Sequence, residues 1–143
     1  MGVDFYRMRQ LMRQLQADER NVAAAFTRAT RITQSFSDDP HAPGITDRVG
    51  RGAVELEEAR RVRDETAAEL TALREQLRSR LDSLPENIRN VMQLRYIVGA
   101  SWQMVAIQCH YSQQHTFRLL NQGEAMINSD ESNKHVIDES KSS

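Results

Sequence analysis

From Asp4 to about Phe36 the chain holds no glycine or proline, and apolar side chains recur at alternating steps of three and four: Phe5, Met8, Met12, Leu15, Val22, Phe26, Ala29 and Phe36. That spacing is one face of an α-helix, and at ~1.5 Å per residue it predicts a rod about 50 Å long. Glu19 and Thr33 fall on the same stripe and interrupt it. Between Ser37 and Ile45 stand Pro40, Pro43 and Gly44, a turn cluster that a helix does not cross comfortably. Thr46 or Asp47 can then cap a second helix, whose stripe is Val49, Ala53, Leu56, Ala59, Val62, Thr66, Leu70, Leu73, Leu77 and Leu81. Gly50 and Gly52 weaken its first turn, which moves the firm start toward Ala53. Glu57–Arg61 and Arg60–Asp64 are spaced for ion pairs on its outer side.

Two long helices joined by a short loop predict an antiparallel hairpin over residues 1–82. Each helix has only one stripe, so its core is narrow. Further burial must come from the C-terminal block or from a second copy of the chain, which points to a homodimer joined through a coiled coil.

The pattern shortens after Leu84. Residues 84–98 read as a helix with Pro85 in its first turn and Gly99 as its stop, its apolar set being 84, 88, 91, 92, 94/95 and 98. Ser101 can cap a helix from Trp102 to Cys109, and Ser112 a further one to about Ile127. A two-turn helix, a tight turn and a second helix make a helix-turn-helix. Ala106 supplies the small residue that a close crossing needs, with Val105 and Cys109 on the same side, Tyr111 as the wedge, and Leu119 and Leu120 facing inward. His110 stands where the turn favours glycine, and Thr116 occupies a slot that is buried in this arrangement. Residues 128–143 hold five Ser and two Asn around an isolated Val136-Ile137 and read as a disordered tail. No segment alternates as a strand does. The fold class expected is all-α: a helical hairpin over 1–82, a helix-turn-helix domain over 83–127, and a tail.

Composition narrows the function. Of 143 residues 39% are apolar and 27% charged, with no run long enough for a membrane span. Net charge is −1, so no global field draws the chain to nucleic acid or lipid. The positive charge is nonetheless local: residues 1–36 carry +3, with Arg7, Arg13, Arg20 and Arg31 off the apolar stripe. Cys109 is the one cysteine, which excludes a stapled scaffold and fits a reducing compartment. Asp4, Arg7 and Arg9 with no apolar stretch behind them do not make a signal peptide, and Tyr6 replaces the Ser or Thr that would follow a myristoylated Gly2. The expected location is the cytoplasm.

The stretch Leu84-Pro85-Glu86-x-x-Arg89, then Leu94-Arg95-Tyr96-Ile97-x-Gly99-x-Ser101-Trp102-x-x-Val105-Ala106, then Tyr111-Ser112 and Arg118-Leu119 resembles the promoter-reading fourth region of bacterial sigma factors. More closely, it resembles the phage and prophage late-transcription regulators of the ArpU/RinA type, which place a helical segment ahead of a sigma-like helix-turn-helix. The likeness covers residues 84–120. It implies sequence-specific binding of double-stranded DNA in the transcriptional switch of a mobile element, in a bacterial host cell. Beyond Leu120 the sequence Asn121-Gln122-Gly123-Glu124-Ala125-Met126 departs from the basic ending of that pattern.

The second helix of the motif, residues 112–126, would lie in the major groove. Ser112, Gln113, Gln114, His115, Phe117, Arg118, Asn121 and Gln122 are its candidate DNA-binding residues. Gln and Asn can pair bidentately with adenine and Arg with guanine, and amides at a helix start can hold a phosphate. The same residues would also suit any solvated helix. Phe117 is the odd member, an aromatic side chain free to meet a thymine methyl, the hairpin or a partner. Residues 84–127 net only +1, so DNA binding is expected from a dimer, from the arginines of the first helix, or with help from RNA polymerase. Trp102 and Tyr96 at helical spacing read as core rather than as a stacking platform.

Cys109, His110 and His115 are close in sequence, but a structural zinc site needs four ligands and no second cysteine exists. No phosphate loop, HExxH or Ser, His and acid grouping is present, so neither a catalytic residue, nor a metal, nor a cofactor is expected. Two function classes remain. One is the DNA-binding regulator; the other is a protein-interaction module, such as a phage-encoded modulator of a host protein or of RNA polymerase, that does not bind DNA by itself.

Overall fold

The computed structural model describes the backbone of residues 2–37 and 45–141 and the side chains of residues 2–31 and 48–129. It is all-α among the described residues. Helix α1 spans Phe5–Ser37, α2 Ile45–Leu81, α3 Glu86–Met92, α4 Trp102–Cys109 and α5 Gln113–Lys141. Gln93–Val98 continues α3 as a wider π-helical turn. The chain divides into two compact units, residues 9–70 and residues 1–8 with 71–143. This division falls ahead of the boundary read at 82 and gives the first eight residues to the C-terminal unit. The expected turn at Ser37–Ile45 lies largely outside the described residues, as do the side chains of Thr33 and Phe36.

In the 9–70 unit, Leu11, Asp18 and Ala25 of α1 are buried, with Leu15, Val22 and Ala29 half-buried between them. The predicted stripe instead ran through Met12, Glu19 and Phe26, of which Glu19 and Phe26 are exposed. Positions 15, 22 and 29 belong to both stripes. What differs is the residue that fills the second seam position of each heptad. Asp18 is tolerated in the buried stripe because both carboxylate oxygens accept hydrogen bonds: Gln14 Nε2 donates to Oδ1 at 2.7 Å and Thr66 Oγ1 to Oδ2 at 2.6 Å. On α2, Gly52, Thr66 and Leu70 are buried, while Val49, Ala53 and Val62 face outward. The helix begins at Ile45, so Gly50 and Gly52 do not delay it. From Asp18 to Arg28 along α1 the partners on α2 descend from Thr66 to Glu55, so the helices run in opposite directions across this stretch. The outer pairs also differ from those read by spacing: Arg61 engages Glu58 and Glu65, and Arg63 engages Asp64. These exposed pairs contribute little to stability.

The other unit has its own core. Leu77, Leu81, Leu84, Ile88, Val91, Met92, Tyr96, Val105, Leu119 and Ile127 are all buried, together with Val3, Phe5 and Met8 from the start of the chain. Phe5 lies against Tyr96 with ring centroids 5.1 Å apart, and Val3 N donates to Asn128 Oδ1 at 2.9 Å. Gly123 lets α5 approach α3 closely, since a Cβ there would stand 2.7 Å from Met92 Cγ and 2.9 Å from Ile88 Cγ2. After Met92 the helix widens, so Tyr96 turns inward and Val98, read as core, is 66% exposed. An i→i+5 turn takes up an extra residue, and α-periodicity cannot be extended through it. Arg74 Nε donates to Tyr96 O at 2.6 Å, Arg95 Nη1 to Ala100 O at 3.1 Å, and the Tyr96 hydroxyl to Glu124. Burial lowers the Arg74 pKa, with Arg78 acting in the same direction. Gly99, at φ 89°, closes the turn. α5 runs on to Lys141 through the stretch read as a disordered tail. No proline or glycine follows Gly123 to break the helix.

Candidate nucleic-acid interface

Helices α4 and α5 meet through a short turn. Ser101 Oγ accepts from Met104 N at 3.2 Å and Ser112 Oγ from His115 N at 3.1 Å, so both serines cap the helices they precede. His110 takes φ 59° and ψ 37°, the left-handed conformation that closes α4, and Tyr111 N returns to Ala106 O at 3.0 Å. Val105 and Ala106 are buried, while Cys109 and Tyr111 are half-buried. Burial raises the Cys109 pKa.

α5 has two distinct sides. Thr116, Leu119, Leu120, Gly123 and Ile127 are buried, and the Thr116 hydroxyl is satisfied by Ser112 O at 2.9 Å. Opposite them, Gln114, Arg118 and Asn121 are exposed, and Gln113 and Gln122 are exposed on the flanks. Arg118 makes no ion pair among the described residues. Residues 113–127 contain one carboxylate, Glu124, and the Tyr96 hydroxyl donates to it. The exposed side from Gln113 to Gln122 is therefore polar apart from Phe117, with a single positive charge.

The remaining candidates are placed differently. Ser112 is exposed, but its oxygen caps the helix, and His115 is half-buried with its ring edge-on to Tyr111 at 4.8 Å. Phe117 is 44% exposed and stacks at 4.4 Å on Trp102, with the rings tilted by 42°. Sequence spacing missed this pairing because the two residues belong to different helices. Tyr96 is core, as its spacing suggested, whereas Trp102 is only half-buried. Among the described residues no group of three or more His, Cys, Asp or Glu side chains could hold a metal ion, and no helix is long and apolar enough to cross a membrane. No protein-family model, curated protein or solved structure matches the chain.

Proposed function

We propose that the chain is a sequence-specific DNA-binding transcriptional regulator of a phage or other mobile element, with residues 112–126 of α5 lying in the major groove as the recognition helix. The observation that carries this reading is the exposed trio of Gln114, Arg118 and Asn121, which lies opposite a fully buried face and has no carboxylate within it. Arg118 can pair with guanine, and the amides with adenine. The capped helices and the left-handed turn at His110 support a helix-turn-helix, as does the sigma-like pattern of residues 84–120. With a net charge of only +1 over 84–127, this segment alone would give a shallow salt slope. Working affinity then comes from a homodimer or from RNA polymerase alongside, in the cytoplasm of a bacterial host.

Selection from a random duplex library with the full chain at physiological salt, followed by competition with bulk DNA, tests the reading. Enrichment of a motif, above all two half-sites about one helical turn apart, supports it. Binding that vanishes under competitor, with no motif enriched, overturns it for the chain acting alone.

A second reading has its own observation. Val98 and Ile107 are each 66% exposed and Met104 is 45% exposed, all outside the buried core of their unit. Such side chains suit a protein-interaction module acting on RNA polymerase or another host protein. Met104→Ser with Ile107→Ser would abolish activity under this reading and leave duplex selection intact under the first.

A further inference from the structure

We infer that Phe117, braced by Trp102, reads the 5-methyl group of a thymine next to the base engaged by Gln113 or Asn121; this rests on the duplex-binding reading above. Phe117 is four residues from each of these side chains, so all three share one side of α5. Phe117 is 44% exposed there even with Trp102 stacked against its ring at 4.4 Å. The exposed portion is apolar, yet Gln113, Gln114, Arg118 and Asn121 around it are polar or charged. A protein partner with an apolar surface would leave those groups unpaired. The base edges of the major groove have the complementary composition: hydrogen-bonding atoms throughout, interrupted by one apolar group, the thymine methyl. The stack on Trp102 also restrains the ring before contact, so little rotamer freedom remains to be lost on binding.

The test uses the full chain and the duplex that selection returns. Each thymine is replaced in turn by deoxyuridine, which removes only the methyl, and affinity is read by fluorescence anisotropy at fixed salt. One position should weaken binding about fourfold, the effect of one methyl taken out of water. In Phe117→Ala that penalty should disappear, while Phe117→Leu, which keeps an apolar contact and checks that the fold survives, should retain it. Specific binding that is indifferent to every such replacement overturns the inference and leaves the DNA reading standing. A penalty of equal size in wild type and Phe117→Ala also overturns it, since the methyl would then act without this ring. Absence of any specific duplex binding overturns both.

Discussion

Thr66 donates its hydroxyl proton to Asp18 at 2.6 Å between α2 and α1, and neither side chain is more than 9% exposed. A polar pair inside a narrow apolar seam fixes which residues of two helices lie opposite each other, because a shift along the seam would leave a buried carboxylate without its donor. Thr66→Val should therefore destabilise the protein by about 1–3 kcal/mol. Asp18→Leu combined with Thr66→Val should recover most of that loss. Chemical denaturation of the two single variants and the double variant measures the coupling, and additive losses would show that the pair does not act as a unit.

Gly123→Ala sets two effects against each other. Helix propensity favours alanine by up to about 1 kcal/mol. The new Cβ would stand 2.7 Å from Met92 Cγ and 2.9 Å from Ile88 Cγ2, and overpacking of that kind costs about 1–3 kcal/mol. Net destabilisation is expected in a denaturant melt.

His110→Gly should raise stability. An L-residue in the left-handed region costs about 1–2 kcal/mol, and the extra freedom of glycine in the unfolded chain offsets part of the relief, leaving a gain of up to about 1 kcal/mol. His110→Val, branched at Cβ, should lower stability, and thermal melts of both variants check the sign.

Hydrogen bonding to Arg61, followed by its charge, lowers the Glu58 pKa below its ordinary 4.5. A depressed carboxyl contributes stability that is fully present above its unfolded value and is lost as pH falls through the folded one. The site is fully exposed, so its contribution to stability will be small. Carboxyl NMR should show Glu58 titrating below an ordinary glutamate in wild type and moving back up in Arg61→Met.

Arg118→Ala should leave the fold unchanged, because this exposed side chain has no ion-pair partner among the described residues. Under the DNA reading it should lose about 1–3 kcal/mol of affinity and relax preference at one base position. Circular dichroism with binding titrations against permuted sites checks both halves of the expectation.

Much of the helix framework was legible in the sequence because it depends on local chemistry. Ser101, Ser112, Gly99 and His110 act at the ends of their helices as their side chains or backbone freedom dictate. The seam of α1 lies one position from the one its sequence suggests because each stripe carries one acidic residue, Glu19 or Asp18, and the large Phe26 outweighs the small Ala25; only the remote Thr66 and nearby Gln14 make Asp18 tolerable inside. The exposure of Val98 follows from a π-helical turn held by Arg74 and Glu124, neither of them close in sequence. The polar side of α5 was visible from spacing. The brace on Phe117 was not, since a stack between two helices leaves no periodic trace.

The bond from Val3 to Asn128 closes across 125 residues. A chain made from its N-terminus outward releases Val3, Phe5 and Met8 long before the residues that bury them exist. Residues 9–70 form a compact unit of their own and are all made early, whereas the unit containing α4 and α5 can close only after Asn128 has emerged. In the order of synthesis, the surface proposed to read DNA is completed after the 9–70 unit.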